Sequence, residues 1–365
     1  MIENIFDNVL VVFLRNQGGI GSERYPISSI NWDLLIRQAR RANLLSRVAF
    51  FLQESEQLIN VPLKPRIHLE SALAVGEANA RSVKWEIKQI YLVLQKAQLP
   101  FMLLKGAAYA HRMRTSAKGR VFSDVDIMLA AEQIDAAEKV FVHSGWIPAS
   151  FDSYDQQYYR KWMHEIPPLR HLKRQTNLDV HHTIIPPTSR LKPDVHKFWA
   201  SAEKIDGIYV LSLNDMILHS ATHLFHEGEF EGGLRDISDL SLLLDEFSQT
   251  GKSWSELKAR AYEQNLGGPL YYAIHYCELI LHTVIPESFV NMLERENSSY
   301  LKTKIMDFLF MRALMPDHPS CDDRWTGLAR WLLYIRSHWL RMPMSLLIPH
   351  LLRKSWLRLT GKTAH

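Results

Sequence analysis

The sequence predicts an α+β fold, a small mixed sheet with helices set between two helical regions. Three observations predict it. Ser123 to Leu129 alternates polar and apolar residues at period two, as a half-buried strand does. Short apolar runs separated by turn residues recur between Pro100 and Leu211. On both sides of that stretch apolar residues recur at helical spacing. The implied divisions are an N-terminal helical region (1–80), an α/β core (81–211), a helical domain (212–323) and a basic, aromatic tail (324–365).

In the first region, Ile5 to Leu14 is apolar and Gln17 to Ser22 is a glycine-rich loop. Asn31 is placed to cap a helix bearing Trp32, Leu35, Ile36, Ala39 and Ala42. Pro62 and Pro65 break the pattern, and Arg66 to Gln98 reads as one or two long helices. No chemistry is visible here, and the region reads as a packing layer.

In the core, Pro100 to Leu104 is a strand, Gly106 to Arg114 a helix and Asp124 to Leu129 a strand. Ala131 to Ser144 is a helix that Gly145 stops, and Trp146-Ile147 begins an extended piece. Residues 150–165 are rich in Tyr, Asp and Gln and suit a mobile or substrate-facing insertion. Leu169 to Leu172 and Asn177 to Ile185 form a hairpin, and Ile208 to Leu211 a further short strand. Beyond Ser212 the helices are Asn214–Phe225, Leu234–Phe247, Trp254–Gln264, Leu270–Leu281 and Tyr300–Met311.

Asp124 and Asp126 lie one strand repeat apart and so share a face. Two carboxylates that close repel unless a cation lies between them, and a hard divalent ion such as Mg²⁺ (or Mn²⁺) prefers such oxygen ligands. Taken alone, the pair also suits an exposed acidic strand edge. Alternation in Asn177 to Ile185 puts Asp179, His181 and Thr183 on one face and His182 on the other, with a structural role.

Leu104-Lys105-Gly106 as strand end and turn, then Arg120-x-x-Ser123-Asp124-Val125-Asp126-Ile127, resembles the nucleotidyltransferase superfamily of the DNA polymerase β type. Within it, these motifs resemble a bacterial family described as uncharacterised nucleotidyltransferases. The likeness continues at Leu178-Asp179-Val180-His181-His182 and around His219, His223 and Asp236, covering Ala80 to Leu244. It implies a polymerase β-like core with Asp124, Asp126 and Asp179 as catalytic metal ligands, and an NTP as substrate. Asp179 would otherwise serve as general base toward the acceptor.

Lys105, Gly106, Arg120 and Ser123 are expected to bind the nucleotide, and His181 and His223 to face the acceptor. The Lys-Gly turn departs from the Gly-Ser or Gly-Gly of most of the superfamily, so the usual serine contact to phosphate is missing. A non-catalytic nucleotide-binding or scaffold protein with the same fold is the alternative. His219, His223 and His226 share a helix face, but without the His-Glu-x-x-His pattern a cleft-lining role is favoured over zinc. Arg235, Asp236 and Asp239 would join that interface or form buried ion pairs.

The chain has 365 residues, a net charge of +4 and two cysteines, Cys277 and Cys321, without metal-ligand spacing. A disulfide framework is excluded, a cytoplasmic setting is expected, and no apolar run is long enough to span a membrane. The segment 324–365 holds eight Lys or Arg and no Asp or Glu. Its four interleaved tryptophans suit packed helices, peripheral contact with the inner membrane face, or, less well, nucleic acid. The acceptor is left open, with a saccharide or lipid-linked acceptor weakly favoured by the resembling family.

Overall fold

A computed structural model of the chain describes residues 8–16, 25–148, 162–228 and 230–343. The expected insertion at 150–165 and the end of the tail therefore lie largely outside the described residues.

Among the described residues, four α-helices lead into the sheet: α1 (Val9–Arg15), α2 (Trp32–Arg41), α3 (Leu45–Glu54) and α4 (Leu63–Lys96). The Asn31 side chain caps α2 by accepting from the Leu34 amide. The helical pattern breaks at Pro62 as expected, but Pro65 does not break it. Pro62 is the N-cap of α4 and Pro65 lies in its first turn, where no intrahelical N–H bond is lost. The long segment is accordingly one helix of 34 residues.

Then follow β1 (Met102–Leu103), α5 (Lys105–His111), β2 (Asp124–Met128), α6 (Ile134–His143), β3 (Trp146–Pro148), β4 (Leu169–His171) and β5 (Asn177–His181). After α7 (Val195–Ser201), β6 (Glu203–Ile205) and β7 (Ile208–Val210) close the sheet. Its order is β3-β4-β5-β2-β1-β7-β6. β2 is central, antiparallel to β1 and parallel to β5. A parallel neighbour requires a crossover, and α6 with β3 and β4 supplies it. Val125 and Ile127 are buried on one face, which fixes the register, because a slip of one residue would carry Asp124 and Asp126 to that face.

The remaining helices are α8 (Leu213–Glu227), α9 (Gly233–Gln249), α10 (Trp254–Glu263), α11 (Gly267–Leu281), α12 (Glu287–Asn297), α13 (Tyr300–Ala313) and α14 (Thr326–Arg341). Sequence reading missed α12, whose buried apolar residues are only Phe289 and Leu293. α14 is packed structure. Arg336 donates to the Phe225 carbonyl at 2.8 Å and lies over the Tyr272 and Phe310 rings. Arg330 pairs with Asp317 at 2.8 Å, so acids just upstream of the tail offset part of its charge. No helix among the described residues is long and apolar enough to cross a membrane.

Candidate active site

The site begins with how the loop before β2 is held. Asn79 on α4 donates from Nδ2 to the Phe122 carbonyl at 2.9 Å and accepts from the Phe122 amide at 2.7 Å. Gly119, at φ +64°, lies against Arg47, where a Cβ would come within 2.6 Å of the Arg47 Cα. Below the loop, Asp239 of α9 is buried between two guanidinium groups. Arg47 Nη1 is 2.7 Å from one of its oxygens, and Arg120 pairs with the other. Arg47 also donates to Ser238 Oγ at 3.0 Å.

The carboxylates follow. β2 and β5 pair with Asp126 opposite Asp179, and Asp124 lies two residues earlier on the same face of β2. Asp126 is buried, with one oxygen 2.9 Å from Lys105 Nζ and 3.1 Å from His181 Nε2. Burial alone would raise its pKa, but the Lys105 charge and the His181 hydrogen bond outweigh that and hold it far below the usual carboxylate range. Asp124 is pushed the other way, by burial first and by the Asp126 charge second. The Ser123 hydroxyl serves Asp124 as a hydrogen-bond donor.

Lys105 has φ +43°, a left-handed conformation costly for a side chain bearing a Cβ. Gly106 is needed for a close approach, since a Cβ there would lie 2.8 Å from the Phe122 ring. A pocket with about 600 Å³ of free space, part of it open to solvent, is lined by Lys105, Gly106, Arg120, Ser123, Asp124, Asp126, His223, Arg235 and Asp236. Arg235 pairs with Asp236 at 2.9 Å. Burial and the nearby Arg235 push the Arg120 pKa down to about 10.

A second, wider groove opens between α4 and the β4–β5 hairpin. It is lined by Arg81, Ser82, Trp85, Arg174, Gln175 and Thr176, and it shares Phe122, Ser123 and Asp124 with the first pocket. Trp85 is half exposed there. Arg174 lies 5.6 Å over its ring and pairs with Glu86 at 2.7 Å.

Most of the residues singled out from sequence therefore gather around β2 and β5, but not all in the same way. His181 lies on the Asp126 side, while His182 is 3.2 Å from the Met163 carbonyl. His223 lines the pocket of Lys105, not the groove. His219, His223 and His226 do not form a metal-ligand group; His226 is 2.8 Å from Ser189 Oγ, and burial holds His219 well below its usual pKa. The three aspartates share a face, but among the described residues the group whose ligand atoms all come within 4.8 Å is His164, Glu165 and His181.

Arg47, Asn79 and Glu165 were missed. Arg47 and Asn79 lie in the region read as mere packing, where a charged and an amide residue on buried helix faces were the available signal.

A family model described as an uncharacterised nucleotidyltransferase matches residues 28–282. No curated protein matches the chain.

Proposed function

The chain belongs to the family of uncharacterised nucleotidyltransferases, and from that premise we propose that it transfers a nucleoside monophosphate from an NTP to an acceptor hydroxyl, releasing pyrophosphate, with Mg²⁺. The observation that carries this reading is the pairing of Asp126 with Asp179 across parallel strands, with Asp124 on the same face. Asp124, Asp126 and Asp179 offer a hard-oxygen donor set that suits Mg²⁺. The Asp124 pKa is raised by burial first and by the Asp126 charge second, and a divalent cation would relieve the second of these. When bound, the metal supplies charge stabilisation to the attacking and leaving oxygens.

The protein's own groups do the rest. Lys105 and Arg235, with Gly106, Arg120 and Ser123 around them, line the pocket taken by the triphosphate. The cations there offset the charge that builds on pyrophosphate as its bond to the α-phosphorus breaks. Asp179 takes the proton of the acceptor hydroxyl as its oxygen bonds to that phosphorus. The acceptor enters by the groove at Trp85 and Arg174, where a half-exposed indole beside polar side chains suits a hydroxylated ring such as a saccharide, free or lipid-linked.

The test is NTP binding with and without Mg²⁺, followed by pyrophosphate release over a panel of saccharide and lipid-linked acceptors. Magnesium-dependent binding with acceptor-dependent release supports transfer. Magnesium-independent binding with no release supports the alternative, a nucleotide-binding protein that keeps the fold without catalysis.

A peripheral membrane contact is part of the same reading. Trp325 at the N-cap of α14 and Leu328, Trp331, Leu332 and Trp339 along it stand exposed at helical spacing.

A further inference from the structure

The end of β5 carries a second donor set that nucleotidyl transfer does not use. His181 Nε2 lies 3.1 Å from Asp126 Oδ1. An ionised carboxylate only accepts, so Nε2 carries the hydrogen. The other ring nitrogen of His181, Nδ1, lies 3.5 Å from Glu165 Oε2.

His164 completes the set. Its ring stacks on that of His181, with centroids 5.1 Å apart. One ligand atom from each of His164, Glu165 and His181 lies within 4.8 Å of the other two. Backbone pairing holds the three together. Glu165 bridges to His181 in antiparallel fashion, the Ile166 amide donates to the Val180 carbonyl at 3.0 Å, and the His182 amide to the His164 carbonyl at 2.9 Å. Two imidazoles and one carboxylate form a ligand set for a borderline transition ion, unlike the all-oxygen set that suits Mg²⁺. Asp126 behind His181 repeats the carboxylate–histidine–metal arrangement by which ligating imidazoles are oriented.

We propose that His164, Glu165 and His181 bind one transition-metal ion of the Zn²⁺ class, separate from the magnesium site. The ion fixes the His181 tautomer with Nε2–H toward Asp126, and so makes His181 a positioning residue for that carboxylate. Binding itself does not depend on the transfer reading; only the consequence for Asp126 rests on it.

The test strips the full-length protein with a chelator and titrates it with Zn²⁺ against a chromophoric competitor. One equivalent is expected to bind tightly. His164→Ala and Glu165→Gln each weaken binding by about tenfold or more, the scale set by losing a metal-site contact, while Asp124→Asn leaves it unchanged. X-ray absorption at the zinc edge of the wild-type protein, which needs no variant to fold, is expected to show imidazole scattering. Absence of stoichiometric binding, unchanged affinity in both ligand variants, or a zinc edge without imidazole overturns the proposal. If zinc binds as stated while Mg²⁺–NTP binding fails, the transfer reading falls and this one stands.

Discussion

Asn79 satisfies both backbone groups of Phe122, at 2.9 and 2.7 Å, and thereby ties the long helix α4 to the residue two before Asp124. The amide pairs with the backbone as a neighbouring strand would, at a place where the sheet provides none. The start of β2 is thus positioned by a helix about forty residues upstream, which makes a helix residue part of the site's framework.

Asn79→Ala removes both bonds, at a residue that also lines the groove of Trp85 and Arg174. Stability is expected to fall by about 1–2 kcal/mol. Turnover is expected to fall by roughly tenfold through misplacement of Ser123 and Asp124, with NTP affinity less affected. Denaturant melts and a comparison of kcat with KM for the NTP check this. Unchanged turnover would show that the clamp is structural only.

Asp124→Asn separates charge from function. Asp124 is held above its usual pKa by burial and by the Asp126 charge, so in the folded, metal-free protein its ionised form is unfavourable. The variant is expected to melt higher at neutral pH, by about 2 °C, the scale of somewhat under 1 kcal/mol in a large domain. The gain shrinks as pH falls through the raised Asp124 pKa, because the wild-type group then becomes neutral too. Activity is expected to drop at least about 100-fold, since several kcal/mol of charge stabilisation goes with the metal ligand.

Asp126 has the opposite sign. Its depressed pKa means that its stabilising contribution is complete above the usual carboxylate pKa and is lost as pH falls toward the folded value. Asp126→Asn is therefore expected to lower the melting temperature at neutral pH and to flatten the acid limb of the stability profile, because Lys105 loses its buried partner. Equal stability of variant and wild type across that limb would sink this account.

Arg47→Met tests the buried triad. Arg47 is fully buried beneath Asp239, and the variant leaves Arg120 to hold that carboxylate alone. A loss of about 3 kcal/mol is expected, as for other broken buried pairs. Thermal melts measure it, and a loss within 0.5 kcal/mol, roughly the range of neutral surface changes, would deny the triad a stabilising role.

The exposed face of α14 predicts co-sedimentation with anionic vesicles that weakens as salt rises. Trp331→Ser is expected to reduce it severalfold, since Trp331 is the most exposed tryptophan of that helix. Binding that is the same to neutral vesicles, or unchanged in the variant, would assign the face to another contact.

The sequence determined the elements whose signal is local. Alternation over Asp124 to Leu129 and Asn177 to His181 put Asp124, Asp126, Asp179 and His181 on the faces they occupy, because a strand's period of two is a property of its own backbone. The same holds for the helices with continuous apolar stripes and for the Asn31 cap. Tertiary structure alone decided which distant groups meet. Arg47, Arg120 and Asp239 are far apart in sequence and form one ion-pair triad. Asn79 reaches Phe122, and Glu165 reaches His181. Arg330 finds Asp317 although its own segment holds no acid. These pairings follow from how buried faces pack, which brings charges together that no periodicity relates. A buried charge persists only where packing delivers its partner.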